Sequence, residues 1–174
     1  SGISSAVMAN GGKMVHTDLA TLTEMADVDA PTTVSHVVAM DNYLLANTRN
    51  SRTVTYSDNL SIVNWTATSI FQKAGKPDDL IGLYEGWNEL MLPGKESVEI
   101  WYDDGVTPFI RRSNGLIERG CGAAHTFTKV GNEWIWLDER RRFVKLDQRT
   151  PTHISFPYHK LIQTFGSGYD AVSD

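Results

Sequence analysis

The chain has 174 residues, of which 41% are hydrophobic and 21% charged, with a formal net charge of −5. This is enough chain for one domain with a substantial core, and too apolar for a disordered segment. The acidic balance gives no global field for nucleic-acid phosphates and leaves only a local patch for such contacts. No run approaches the roughly 18 apolar residues that cross a bilayer, and Ser1-Gly2-Ile3-Ser4-Ser5 lacks the charged and apolar regions of a signal peptide. The single cysteine excludes an internal disulfide, so Cys121 suits a reducing compartment or a buried apolar site.

In chain order, Ala6 to Ala9 and Lys13 to His16 read as strands around an Asn10-Gly11-Gly12 hairpin turn, part of an earlier unit. Asp18 to Ala26 fits either a helical turn, with Leu19, Leu22 and Met25 on one side, or a strand, which we favour. A first set of four strands follows at Val34 to Met40, Tyr43 to Ala46, Thr53 to Ser57 and Asn64 to Phe71. A second set occupies Leu80 to Tyr84, Glu89 to Leu92, Val98 to Tyr102 and Phe109 to Arg112. It is punctuated by Pro93-Gly94-Lys95 and Asp103-Asp104-Gly105. A third set occupies Ala123 to Val130, Glu133 to Leu137, Phe143 to Leu146 and Thr152 to Phe156. Tyr158 to Phe165 then sits where a fourth unit is entered, and the sequence stops just after Gly166-Ser167-Gly168-Tyr169-Asp170-Ala171.

These sets form a three-fold echo. Asn42, Asn88 and Asn132 open it at spacings of 46 and 44 residues, and Asp58, Asp103 and Asp147 follow at 45 and 44. By this register Tyr56, Trp101 and Leu146 share one position in the repeat. Repeats of this length built from short strands mark β-propeller blades, four-stranded sheets that cannot bury both faces without neighbours. The expected fold is all-β, a propeller segment of about three four-stranded blades plus flanking partial blades. Its approximate units are 6–33 (partial), 34–78, 79–122, 123–157 and 158–174 (partial), within a single domain over 1–174.

An ordered set of residues carries a family resemblance. Tyr56-Ser57-Asp58 precedes Trp65, then come Asp79-Leu80-Ile81-Gly82-Leu83, Glu96-Ser97-Val98-Glu99-Ile100-Trp101 and Ile117-Glu118-Arg119-Gly120-Cys121-Gly122-Ala123-Ala124. The set continues through the Gly-x-Glu-aromatic strand at Gly131 to Trp136 and ends at Tyr169-Asp170-Ala171. Over roughly residues 6 to 171 the chain resembles the packaged-DNA stabilisation proteins of short-tailed phages, which are tail accessory or hub proteins. The resemblance implies a structural protein of a phage tail or prophage remnant, made in the bacterial host cytoplasm and residing in the virion. It implies partners in the portal ring and other tail proteins, a homo-oligomeric ring in the full-length protein, and packaged DNA in the channel. Because family members are considerably longer, it also implies a fragment that begins and ends inside the propeller. It transfers no catalytic, cofactor-binding or metal-binding residue, and no membrane partner.

Candidate chemistry is sparse. Ser57-Asp58 with Trp65 is similar to the Asp-box hairpin of sialidase-type propellers. No glycine lies between Asp58 and Trp65, however, and the expected role of Asp58 is to cap its own turn. Paired-carboxylate hydrolysis needs two acids converging across a substrate. Glu96 and Glu99 flank Val98 on opposite strand faces, and Asp78-Asp79, Asp103-Asp104 and Asp138-Glu139 fall in turns, which are solvated. Among His16, His36, His125, His153 and His159, only His153 and His159 lie within compact spacing, and Cys121 with His125 lacks a paired-cysteine zinc signature. Gly166-Ser167-Gly168 lacks the lysine and helix of a phosphate loop. Glu139-Arg140-Arg141-Arg142, with Arg111, Arg112, Arg119 and Arg149 elsewhere, is either a rim that meets DNA or an acidic neighbour, or a solvated hairpin turn paired with Asp138 and Glu139. The tryptophans, with Trp134 and Trp136 on one strand face and Trp87 and Trp101 near strand ends, suit inter-blade packing over a glycan platform. The expected protein is therefore an assembly component and not an enzyme. The alternatives are a carbohydrate-binding or glycan-hydrolysing propeller of a tail adhesin, and a scaffold for cellular protein contacts.

Overall fold

A computed structural model of the chain describes residues 5–147 and 149–165. Each of the three expected repeats forms one four-stranded antiparallel meander. The first sheet runs β4 (Val34–Met40), β5 (Tyr43–Thr48), β6 (Thr53–Ser57) and β7 (Trp65–Gln72) in sequence order. The second runs β8 (Tyr84–Gly86), β9 (Glu89–Pro93), β10 (Val98–Tyr102) and β11 (Ile110–Ile117). The third runs β12 (Thr128–Val130), β13 (Glu133–Leu137), β14 (Phe143–Asp147) and β15 (Thr150–His153). Ahead of them, β1 (Ala6–Met8), β2 (Val15–Thr17) and β3 (Leu22–Glu24) make a three-stranded sheet.

The asparagine echo is the hairpin between the first two strands of each sheet. Asp41-Asn42 and Trp87-Asn88 hold positive φ at both central residues (46° and 68°, 58° and 56°), and Gly131 holds φ 57° ahead of Asn132. These are the backbone values that two-residue hairpins demand, so asparagine or glycine recurs there. The pairing corrects the expected register by one residue in the first repeat. Leu45 pairs with Tyr56, Leu90 with Trp101 and Trp134 with Leu146. Counted from the hairpin, Leu44, Leu90 and Trp134 are equivalent, so Ser57, and not Tyr56, shares the position of Trp101 and Leu146.

Strand alternation explains why the middle strands read as unbroken apolar runs. Leu44 and Ala46 pack toward Met14, Met25 and Ala30, which flank the strands of the preceding sheet. Leu45 and Val54 instead pack with Leu90, Leu92 and Trp101 of the following one. Met91, Val98 and Ile100 face Phe127, Trp134 and Trp136 of the third sheet. The first and second sheets thus bury both faces against neighbours, which is how stacked blades share a core. Phe71 on β7 lies 4.6 Å from Trp101 on β10, joining two blades through their aromatic rings.

Other expectations need correction. The first hairpin does not turn at Asn10-Gly11-Gly12. Val7 pairs with His16, and the Gly11 amide donates to Val34 O at 2.7 Å while Val34 N donates to Gly12 O. The six residues between β1 and β2 thereby reach the next blade, so Lys13 and Met14 lie outside the strand. The favoured strand within Asp18 to Ala26 is present as β3, shorter than drawn. Leu80 makes only an isolated bridge to Gly94, and the second sheet begins four residues later at Tyr84. A Cβ at Gly82 would meet the Tyr84 ring, so glycine lets that ring pack against the backbone here. Ala124–Thr126 forms a 3₁₀ turn inside the expected strand Ala123 to Val130. Where a fourth unit was expected to be entered, Phe156–Tyr158 forms a 3₁₀ turn and α1 spans His159–Phe165, shortly after Pro157. Gly166 to Ala171, including Tyr169-Asp170-Ala171, lie outside the described residues.

Candidate functional site

A meander of four strands sends alternate turns to opposite ends, so the stacked sheets present two rims. On the hairpin rim, Asp41, Asn42, Asn59, Asn88 and Asp103 from the first two blades line a groove of about 450 Å³. Arg149 of the third blade reaches Glu89 of the second at 3.2 Å on this rim. On the opposite, linker rim, the turns between second and third strands meet the segments joining one blade to the next. Leu80 N donates to Ser51 O, and Cys121 N to Gly94 O.

The arginine run lies on the linker rim, in the turn between β13 and β14. Asp138 there is 0% exposed and not solvated as expected. Its carboxylate accepts from the amides of Arg140 and Arg142 at 2.9 and 2.8 Å and from the Arg142 guanidinium at 2.9 and 2.6 Å. Arg119 from the preceding linker adds a looser contact at 3.8 Å. Arg142 is therefore consumed by the turn, Arg140 keeps its side chain 68% exposed with Glu139 beside it, and Arg141 is half-buried. Arg111 and Arg112 are likewise engaged. Arg111 stands 4.0 Å from Glu99, while Arg112 pairs with Glu89 and covers the Tyr102 ring at 4.3 Å.

Glu96 and Glu99 do not converge. Glu96 is exposed in the turn ahead of β10, while Glu99 is fully buried and accepts from the amides of Gly75 and Ala74 and from the Trp101 indole at 2.9 Å. Asp78 is buried too, against the expectation of a solvated turn, and holds Lys73, a residue the sequence reading passed over. The missed signal was a lysine immediately after the apolar-aromatic end of a strand, five residues before an aspartate. Asp58 caps no amide of its own turn through its side chain. It accepts from the Thr66 hydroxyl across the hairpin at 2.8 Å, and the Ser61 amide goes to its backbone carbonyl.

Burial pushes the Cys121 thiol up to about 11, and its sulfur lies 3.2 Å from Ala123 O, so it is a protonated packing group at neutral pH. His36 lies 5.7 Å from the Tyr84 ring, where the first strands of two blades approach each other. Burial, and then the neighbouring His125, push His36 below its ordinary value. Among the described residues no three His, Cys, Asp or Glu side chains gather as metal ligands. Trp134 and Trp136 pack at 5.3 Å from Phe127, and Trp87, 47% exposed, meets the edge of Trp134 beneath the Lys129 ammonium.

Consecutive four-stranded meanders that share their apolar faces define a β-propeller protein. Residues 1–143 match the phage-stabilisation family described as Bacteriophage P22 Gp10, beta-propeller, and the chain belongs to that family. In fold it is similar to the computationally designed Ika8 protein, with a TM-score of 0.51 at 12% identity, over 84% of this chain and 43% of that one. Hsv2 of Kluyvelomyces marxianus aligns with a TM-score of 0.47 at 10% identity, over 86% and 46% of the two chains. The chain spans less than half the length of either structure. No curated protein matches it.

Proposed function

We propose that this protein is a structural component of a short-tailed phage virion that joins the head-tail connector and keeps packaged DNA inside the head until the rest of the tail attaches. Membership of the phage-stabilisation family over residues 1–143 is the observation that carries this reading. The units 34–78, 79–122 and 123–157, with a partial unit at 6–33, act as one propeller domain. Its partners are portal-ring and other tail proteins, further copies of itself in a ring, and the DNA that the channel encloses. The protein performs no catalysis. The separation of exposed Glu96 from buried Glu99 supports this, since hydrolysis needs a converging acid pair.

Arg140 and its half-buried neighbour Arg141 make the contact that the sequence left open. Their surroundings favour an acidic protein surface over DNA, because Glu139 beside Arg140 opposes a phosphate backbone. The test is reconstitution of purified protein with filled, tailless heads of the parent phage. The wild-type protein co-sediments with the heads and the Arg140→Glu, Arg141→Glu double variant does not; equal co-sedimentation rejects the assignment of these arginines, and no binding by either protein rejects the connector reading. A second reading, glycan binding, is favoured by the amide- and carboxylate-lined groove on the hairpin rim. Glycan-array binding lost on Asn42→Ala and Asn88→Ala would support it.

A further inference from the structure

The end of β7 delivers Lys73 into the interior, where its side chain is 0% exposed. Its Nζ contacts the Asp78 carboxylate directly and donates to Ser97 Oγ at 2.7 Å. The Ser97 hydroxyl in turn donates to Asp78 Oδ1 at 3.0 Å. The other carboxylate oxygen, Oδ2, accepts from two backbone amides of the next blade, Glu96 at 2.8 Å and Ser97 at 3.1 Å. Glu99, also fully buried, fixes the chain just past Lys73 through the amides of Ala74 and Gly75, and its charge reaches the lysine. Gly94 closes the cluster with no room for a side chain against Asp78 and Lys73.

This arrangement exceeds what an ion pair needs. Burial pushes Lys73 toward the free amine; burial also pushes Asp78 up, but its hydrogen bonds from Lys73, Glu96 and Ser97 outweigh this and hold it below its ordinary value. A desolvated lysine is a nucleophile. Its contact is with Oδ1, the atom bonded to Cγ, and two amides already point at Oδ2, the oxygen on which charge develops when Cγ is attacked. Reacting groups held this way gain an effective concentration of about 10⁵ M or more.

We infer that Lys73 and Asp78 join in an intramolecular isopeptide bond. Starting from the ammonium and carboxylate, one proton passes from Nζ to Oδ1, and the free amine attacks Cγ to form the C–N bond. Negative charge collects on Oδ2 between the Glu96 and Ser97 amides. A second Nζ proton moves to Oδ1, with the Ser97 hydroxyl bridging the two atoms, and the Cγ–Oδ1 bond breaks to release water. One hydrogen remains on the amide nitrogen, and no oxidant, reductant or co-reactant is consumed. The product locks the segment between the first two blades at the point where it grips the turn of the second.

Intact-mass spectrometry of the folded, purified chain tests this. The expected mass is lower than that of the sequence by one water. Trypsin leaves the bond after Lys73 uncut, and tandem spectra give a peptide branched at Lys73 and Asp78. Lys73→Arg and Asp78→Ala each restore the full sequence mass. The full mass in the unaltered protein overturns the inference and leaves a buried ion pair. A water lost instead as a succinimide at Asp104-Gly105 persists in both variants and overturns it equally. The unaltered protein decides the question even where a variant fails to fold.

Discussion

Trp101 and Trp87 show how position in a blade sets the worth of a side chain. Trp101 is 8% exposed, donates to the buried Glu99 and stacks near Phe71, whereas Trp87 is 47% exposed at a hairpin tip. Trp101→Ala is expected to cost about 3 to 5 kcal/mol through the cavity it leaves, and Trp87→Ala under about 1 kcal/mol as a surface truncation. Urea denaturation of both variants measures the difference, and equal shifts contradict the packing of the second blade on the first. Asp138 supplies a second case. It is wholly buried and carries the Arg140 and Arg142 amides together with the Arg142 guanidinium. Asp138→Ala leaves those donors unanswered, and breaking such a pair costs about 3 to 5 kcal/mol. Amide hydrogen exchange in residues 138–142 should rise in that variant, and unchanged protection there would show that the turn is held by something else.

At the scale of elements, the approach of β4 to β8 makes stability depend on pH. His36 is held below its ordinary value by burial and by His125, so the unfolded chain binds more protons than the folded one as pH falls below about 6.5. The stability His36 confers is fully present above that pH and is lost as pH falls through its folded value. The melting temperature should therefore drop between pH 7 and pH 5, and His36→Gln should flatten the drop; an equal slope in both proteins contradicts the burial of His36. The same elements show what the sequence could and could not reveal. Strands β4, β6, β10 and β13 were legible residue for residue, because β-rich runs between asparagine, aspartate and glycine turns leave little choice of boundary. The first strand of the second blade was not legible, since Leu80 and Ile81 are apolar yet form no strand: Leu80 bridges Gly94 and donates to Ser51 O, and Ile81 donates to Pro93 O. The helix at 159–165 was missed because a repeat projects a strand onto a segment whose mixture of helix formers (Lys160, Leu161, Gln163) and strand formers (Ile162, Thr164, Phe165) gives no clear local preference. The buried Lys73 and Asp78 pair escaped because its partners come from adjacent blades, and a charged residue gives no local sign that it is buried.

For the whole molecule, both rims carry charges of both signs. The hairpin rim carries Asp41, Asp58, Asp103 and Asp104 with Arg149, and the linker rim carries Arg49, Arg52, Lys76, Lys95, Arg140 and Arg141 among Asp78, Glu96, Glu118, Asp138 and Glu139. Beyond the shared faces, the far side of the third blade leaves Val130, Phe143 and Ile154 exposed, and β1 is an edge strand of the three-stranded sheet. Uncovered apolar faces and strand edges recruit further chains, so the purified chain is expected to self-associate, and light scattering that shows only monomer at high concentration contradicts this. A screen against sialosides, lipopolysaccharide and phosphoesters is expected to release no product, and turnover abolished by Glu96→Gln or Glu99→Gln would overturn the structural reading.

The central claim is that the protein retains packaged DNA. Its most direct measurement is the nuclease-resistant DNA in heads assembled by the parent phage without this protein, with and without purified full-length protein added back. The account predicts that heads lacking it fill and then lose their DNA to nuclease, and that adding the protein before nuclease preserves it. Heads that keep their DNA equally well in its absence would contradict the account.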